Sequence, residues 1–313
     1  HLSVHSFPTR RSSDLVVLAV VWGSAFTAIK AGLEYFPPVL FAAFRYDAAG
    51  LLILAYAAVV TERWLPRGRS EWLLVVVGGT LMIAGYHAFL FVGEQGTTSA
   101  AASIVVSLSP ILTTGFARAF LPDERLTTVG VLGLLIGFAG VVVLSNPDPN
   151  NLLEARTVSL FLIFLAAASF ALGSVLTRRI DADLPIETME AWSMLIGAVV
   201  MHGASLAIAE PIREVRWTGE AILALGYLVV GASAIGFLIY FDLLDRLGPI
   251  QINLVSYAAP VAAAMTGFLF LSETPTPHTA AGFGFILVGF LLLKRDAIRA
   301  EVSRIGIAEK PGD

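Results

Sequence analysis

Apolar runs long enough to cross a lipid bilayer recur along almost the whole chain, and no other feature restricts its folding as much. They fall at about 15–34, 38–60, 71–93, 98–120, 127–145, 157–177, 185–208, 219–241, 249–271 and 278–294. A hydrocarbon core about 30 Å thick needs about twenty apolar residues of helix. Backbone groups cannot stay unpaired in lipid, and these runs are too long and continuous for barrel strands, so each predicts a helix. Composition agrees: 57% of the 313 residues are hydrophobic, 14% are charged and the mean hydropathy is +0.80. A soluble domain carries about 25% charged residues. The gaps between runs are too short for a soluble catalytic domain. There is no cysteine and the five histidines are scattered, which excludes disulfides and thiolate metal sites. No phosphate-binding loop, nucleophile elbow or basic nucleic-acid patch is present, so no cofactor and no nucleic-acid partner is expected.

Ten spans place both termini on one side. The connections 61–70, 121–126, 178–184 and 242–248 and the tail from Lys294 hold twelve Lys and Arg; the other set holds four, Lys30, Arg156, Arg213 and Arg216. The positive-inside rule then puts both termini in the cytoplasm.

The two halves repeat. Pro110 matches Pro260 at an offset of 150, Glu124 matches Glu273, Gly133 matches Gly282 and Gly140 matches Gly289 at 149, and Pro37 matches Pro185 and Lys30 matches Arg178 at 148. A duplicated unit of five helices is odd in number, so its second copy enters the membrane the opposite way round. Inverted repeats of this kind mark alternating-access transporters, with the solute near the midplane between the halves. The expected fold is an all-α integral membrane protein of ten transmembrane helices in two inverted five-helix repeats, 16–145 and 157–294, with a cytoplasmic tail at 295–313.

The motifs "WGSAFTAIK" (22–30), "FPPVLFAAFRY" (36–46), "SLSPILTTGFARAFLPDERLT" (107–127) and "AAPVAAAMTGFLFLSETPT" (258–276) carry a family likeness. Over about 16–295 the chain resembles the EamA-type family of the drug/metabolite transporter superfamily. The resemblance implies export or import of small metabolites, amino acids prominent among them, across the inner membrane. In that family a few residues precede the first helix, and its Trp-Gly pair lies partway along. Here Trp22 follows Leu15 by only seven positions, so about a turn is missing. The leader "HSFPTRRSSDL" (5–15) resembles a translated sequencing adapter, and 1–15 are read as non-native. The family's second-helix arginine is present as Arg45, whereas its repeat counterpart falls near Ser193.

Several residues are candidates for touching a solute. Ser99, Ser103, Ser107, Pro110 and Thr114 form one stripe on the fourth helix, and Asn253, Tyr257, Pro260 and Ala264 repeat its spacing on the ninth. Pro110 and Pro260 are expected to kink their helices and free the carbonyls of Val106 and Ser256. The two stripes line a wet cavity, or their hydroxyls bond their own backbone and join helices. Arg45, seven residues into helix two, either holds a solute carboxylate or locks to a protein acceptor; Asp47, two residues on, faces elsewhere. His87 and Glu94 share a helix face and either relay a coupling proton or serve as a core hydrogen bond and a cap. Trp22, Trp192 and Tyr240 enclose a solute or anchor the helices at the interface. Gly130, Gly133, Gly137 and Gly140, echoed by Gly282 and Gly289, suit close helix packing or a dimer contact, leaving monomer and homodimer both open. Glu124 and Glu273 are expected to cap the helices that follow them.

The leading function is a secondary transporter of small polar metabolites, with the bilayer, a solute and a coupling proton as partners. A hydrophobic-cation exporter of the small multidrug type would carry a membrane-embedded Glu in the first helix, where only Glu34 stands, at its outer end. A membrane enzyme would need clustered carboxylates or histidines at one face, and a non-transporting scaffold is the remaining class.

Overall fold

The computed structural model describes residues 8–121, 128–148, 151, 153–240, 242–243, 255–293 and 295. Asn253, Glu124, His1, His5 and the tail beyond Arg295 lie outside the described residues, as do the side chains of Arg10 and Arg11. All regular structure among the described residues is helical. Eight helices are long and apolar enough to cross a membrane: α1 (Ser13–Gly32, its helix starting at Pro8), α2 (Pro38–Val60), α3 (Arg69–Glu94), α4 (Ser99–Phe120), α5 (Thr128–Ser145), α6 (Ala155–Thr177), α7 (Ile186–Ala207) and α8 (Gly219–Tyr240). Two further apolar helices, α9 (Val255–Leu271) and α10 (Pro277–Leu293), have 17 residues each. Large apolar side chains such as Val199, Leu223 and Phe270 stay exposed on the outer faces, as lipid contact allows.

Local chemistry sets the helix ends. Pro37 and Pro185 occupy the N-cap positions of α2 and α7 with nearly the same backbone, φ −58, ψ 138 and φ −53, ψ 139. Thr98 and Thr218 cap α4 and α8, each accepting a backbone N–H through its hydroxyl at 3.2 Å. The packing pairs also repeat. α2 packs on α7, α5 on α10 and α4 on α9, while α1 on α9 is matched by α6 on α4, α1 on α8 by α6 on α3, and α2 on α8 by α7 on α3. Adding five to each helix number maps these pairs onto one another.

The small-residue ridge is consumed inside the chain. A Cβ added at Gly140 would stand 2.8 Å from the Gly282 carbonyl, and one at Gly289 would stand 2.8 Å from the Gly137 nitrogen. These glycines let the α5 and α10 backbones touch.

The two prolines act differently. α4 is interrupted at Ser107–Leu108, between Ser99–Val106 and Ser109–Phe120, and Pro110 starts the second piece. The Val106 carbonyl freed by Pro110 accepts the Ser109 hydroxyl at 2.7 Å. α9 stays helical through Pro260. The symmetric kinks expected from sequence are thus a break in one half and a continuous helix in the other.

Candidate functional site

Near their middles, α3 and α8 leave α-helical geometry for a π-helical stretch, Gly78–Gly85 and Tyr227–Ile235. Their starts lie 149 positions apart, the offset of the repeat. A π segment disrupts the i→i−4 ladder and leaves carbonyls for side chains to take. The first helix of each opposite half supplies one. Ser169 of α6 donates to the Leu81 carbonyl at 2.8 Å, and Trp22 of α1 donates its indole N–H to the Ala232 carbonyl at 3.2 Å.

A buried polar cluster sits against these segments. Arg45 is 6% exposed; its Nε donates to Ser233 Oγ at 3.2 Å, and its guanidinium carbon lies 5.0 Å from the Tyr46 ring centre. Tyr46 Oη meets His87 Nε2 at 2.6 Å, and His87 Nδ1 meets the Ile83 carbonyl at 2.9 Å. A carbonyl only accepts, so Nδ1 carries the proton and Nε2 accepts from the Tyr46 hydroxyl. Both ring nitrogens of a neutral imidazole are thereby satisfied. Among the described residues no carboxylate pairs with Arg45. Asp47 instead meets His202 of α7 at 2.7 Å.

The other candidates separate. Trp22 and Tyr240 join the cluster's edge, ring centres 5.4 Å apart, beside the carbonyl that Trp22 caps. Trp192 lies elsewhere: its indole donates to the Trp64 carbonyl at 2.9 Å, in the connection between α2 and α3. Ser103 and Ser107 are buried on α4, and the Ser107 hydroxyl donates to the Ile104 carbonyl at 2.6 Å, so it serves its own helix. The Tyr257 ring lies tilted against that of Phe290 with centres 4.2 Å apart, and its buried hydroxyl has no partner among the described residues. Ser193, the counterpart of Arg45, donates to the Val75 carbonyl at 3.3 Å.

The end of the bundle carrying connections 33–37, 95–98, 208–218 and 272–276 is tied across the halves. Glu210 accepts from the backbone N–H groups of Val39 and Leu40, both at 2.9 Å, at the start of α2. Glu273 accepts from Ser99 N at 2.9 and 3.2 Å, at the start of α4. Sequence had assigned Glu273 to the helix that follows it, α10; the structure gives it to the other half, because Ser272 at φ 55 turns the chain back before it. Ala209, at φ 54, does the same before Glu210. Both glutamates thus complement helix N-termini 170 or more residues away. Lys30 adds a tie within the first half, donating to the carbonyls of Glu94, Gln95 and Thr97 at 2.8–2.9 Å. A third tie across the halves joins Tyr35, whose hydroxyl donates to Glu220 while Arg216 lies 5.1 Å from its ring centre. That bond to a carboxylate holds the Tyr35 phenol above its ordinary range. Two cavities open at this end, of about 370 Å³ beside Lys30 and Arg156 and about 670 Å³ beside Tyr35 and Arg216.

Sequence reasoning missed Tyr46, Ser233 and Glu210. Tyr46 was signalled only by adjacency to Arg45, and Ser233 by nothing short of the packing of α2 on α8.

The profile of a family described as the EamA-like transporter family matches residues 15–146 and again 157–295. The inner membrane transporter YedA of Escherichia coli K12, described as uncharacterized, is 30% identical over 281 residues, covering 89% of each chain. A probable amino-acid metabolite efflux pump of Salmonella typhimurium is 29% identical over 294 residues, 91% of this chain and 95% of that one. A solved crystal structure is similar with a TM-score of 0.65 at 26% identity, covering 94% of this chain and 99% of that one.

Proposed function

The chain belongs to the EamA-like transporter family, and on that premise we propose that it moves small polar metabolites, amino acids or related carboxylates, out of the cell by alternating access. The observation that carries this reading is Arg45. A buried guanidinium with one neutral hydrogen-bond partner and no carboxylate among the described residues is expensive to keep in a membrane interior and retains donors for a bidentate solute carboxylate. It lies between a helix of the first half and a π segment of the second, where a change in the packing of the halves would alter access to it. The similarity to an amino-acid metabolite efflux pump supports the solute class.

The reading counts α9 and α10 as spans nine and ten and takes the halves as inverted repeats; the exchange of packing pairs supports both points. The bias of Lys and Arg supports cytoplasmic termini, which makes the tied end the outer one. Trp22, Tyr240, Ser103 and Tyr257 complete the proposed solute surroundings, and Asn253 is proposed to extend the α9 stripe.

The test is uptake into proteoliposomes over a panel of amino acids, nucleosides, sugars and quaternary amines, with and without a proton gradient. Saturable transport of amino acids that Arg45→Ala removes supports the reading. Transport confined to quaternary amines, or unchanged by Arg45→Ala in folded protein, overturns it.

A further inference from the structure

His87 and Glu94 share a face of α3, but their situations are opposite. His87 has both ring nitrogens engaged, whereas neither carboxylate oxygen of Glu94 has a hydrogen-bond partner among the described residues and the residue is 0% exposed. The charges that act on Glu94 come from three elements: Lys30 on α1, Arg45 on α2, and Glu273 in the connection after α9. Lys30 is the informative one. Its ammonium has three donors, and all three go to backbone carbonyls, one of them the carbonyl of Glu94 itself. An ionised carboxylate in a dry site would draw that ammonium to itself, since an unpaired buried charge is far more costly than unpaired carbonyls at a helix end. The observed geometry is the one a neutral acid permits.

From this geometry we infer that Glu94 is the proton-binding site of the transporter, and that Lys30 reports its charge to the outer closure. The proton comes from water in the 370 Å³ cavity, which Lys30, Gln95, Gly96 and Thr97 line, and lands on a Glu94 carboxylate oxygen. Lys30 keeps its own protons and no other covalent bond changes. When Glu94 releases the proton, Lys30 leaves the carbonyls of Glu94, Gln95 and Thr97 for the carboxylate. The 94–97 turn is then freed next to Ser99, whose N–H is held by Glu273 across the halves. Use of the site as a coupling site rests on the transporter reading; the existence of the site does not.

The test is infrared difference spectroscopy of the purified full chain titrated with protons alone, between pH about 4 and 9, following the carbonyl stretch of protonated carboxylic acids. The wild type should show a titrating component that Glu94→Gln lacks and that Glu94→Asp keeps at a shifted frequency, beside the components of its other carboxylates. Glu190→Gln and Glu273→Gln should leave it in place. Identical titrating spectra of the wild type and Glu94→Gln overturn the proposal. Should Glu94→Gln not fold, an unshifted band in Glu94→Asp overturns it. None of these outcomes depends on a transported solute, so failure here and failure of the transporter reading are separable.

Discussion

At the scale of single residues, the Arg45 cluster shows why neighbouring side chains with similar sequence signals have unequal roles. Arg45 keeps donors without a partner among the described residues, while Tyr46 and His87 satisfy one another and fix the wall beside it. Arg45→Lys replaces a planar fork by a point charge. Uptake assays should show apparent affinity for carboxylate solutes falling about ten- to a hundredfold, the range of a charged hydrogen bond worth about 1.5–3 kcal/mol. Unchanged affinity would assign Arg45 to the scaffold. Tyr46→Phe leaves His87 Nε2 buried without a donor, a loss of about 1–3 kcal/mol in stability. Thermal unfolding in detergent should register it even where transport persists.

Helices carry the next layer. The α5–α10 contact depends on backbones touching, so Gly140→Leu should cost about 1–3 kcal/mol by overpacking and lower the melting temperature. Gly284 on the same α10 helix faces open space, and Gly284→Leu should leave the melting temperature where it is. Equal effects at the two sites would show that the ridge is not the contact. The π segments are the second element-scale feature. An extra residue in the turn is what separates π from α geometry. Deleting Thr80 from the first segment should therefore restore the i→i−4 ladder without turning the faces beyond it. Folded protein of normal thermal stability that no longer transports is the expected result; full transport would show that the π geometry is dispensable.

For the whole molecule, the proposed mechanism makes the ties at one end the gate that sets which way the cavity opens. The chain has no cysteine, so Ser103→Cys places a single thiol one turn below the tied end. Glu210→Gln or Glu273→Gln weakens a helix N-terminal cap worth about 0.5–2 kcal/mol, about two- to thirtyfold in the open population. Labelling of that thiol by an impermeant maleimide from the outside should accelerate by that factor, and an unchanged rate would remove the glutamates from the gate. Reporters fused after Arg69 and after Lys294 should read cytoplasmic and one after Pro149 periplasmic; the reverse pattern would place the ties inside.

Much of this architecture is legible from one dimension, because lipid leaves a backbone so few choices. Long apolar runs dictate helices, matched prolines and glycines mark a duplicated unit, and the spacing of Gly133, Gly137, Gly140, Gly282 and Gly289 announces a close crossing. Arg45 and Glu94 stand out for the same reason: charge is rare where solvation is absent. Packing decided the rest. Whether a buried side chain finds a partner beyond its own helix depends on residues brought from another one, and nothing local distinguishes Glu94, whose carboxylate has none among the described residues, from His87, whose Nε2 meets Tyr46 of α2. The π segments arise from balances of a few hydrogen bonds, with carbonyls taken up by Ser169 and Trp22 from α6 and α1. Glu273 looked like a cap for its own neighbour until the left-handed turn at Ser272 sent it to α4. Periodicity fixes which face of a helix is polar; only the folded pair fixes what that face meets, since the partner lies tens to hundreds of residues away and leaves no trace in the local pattern.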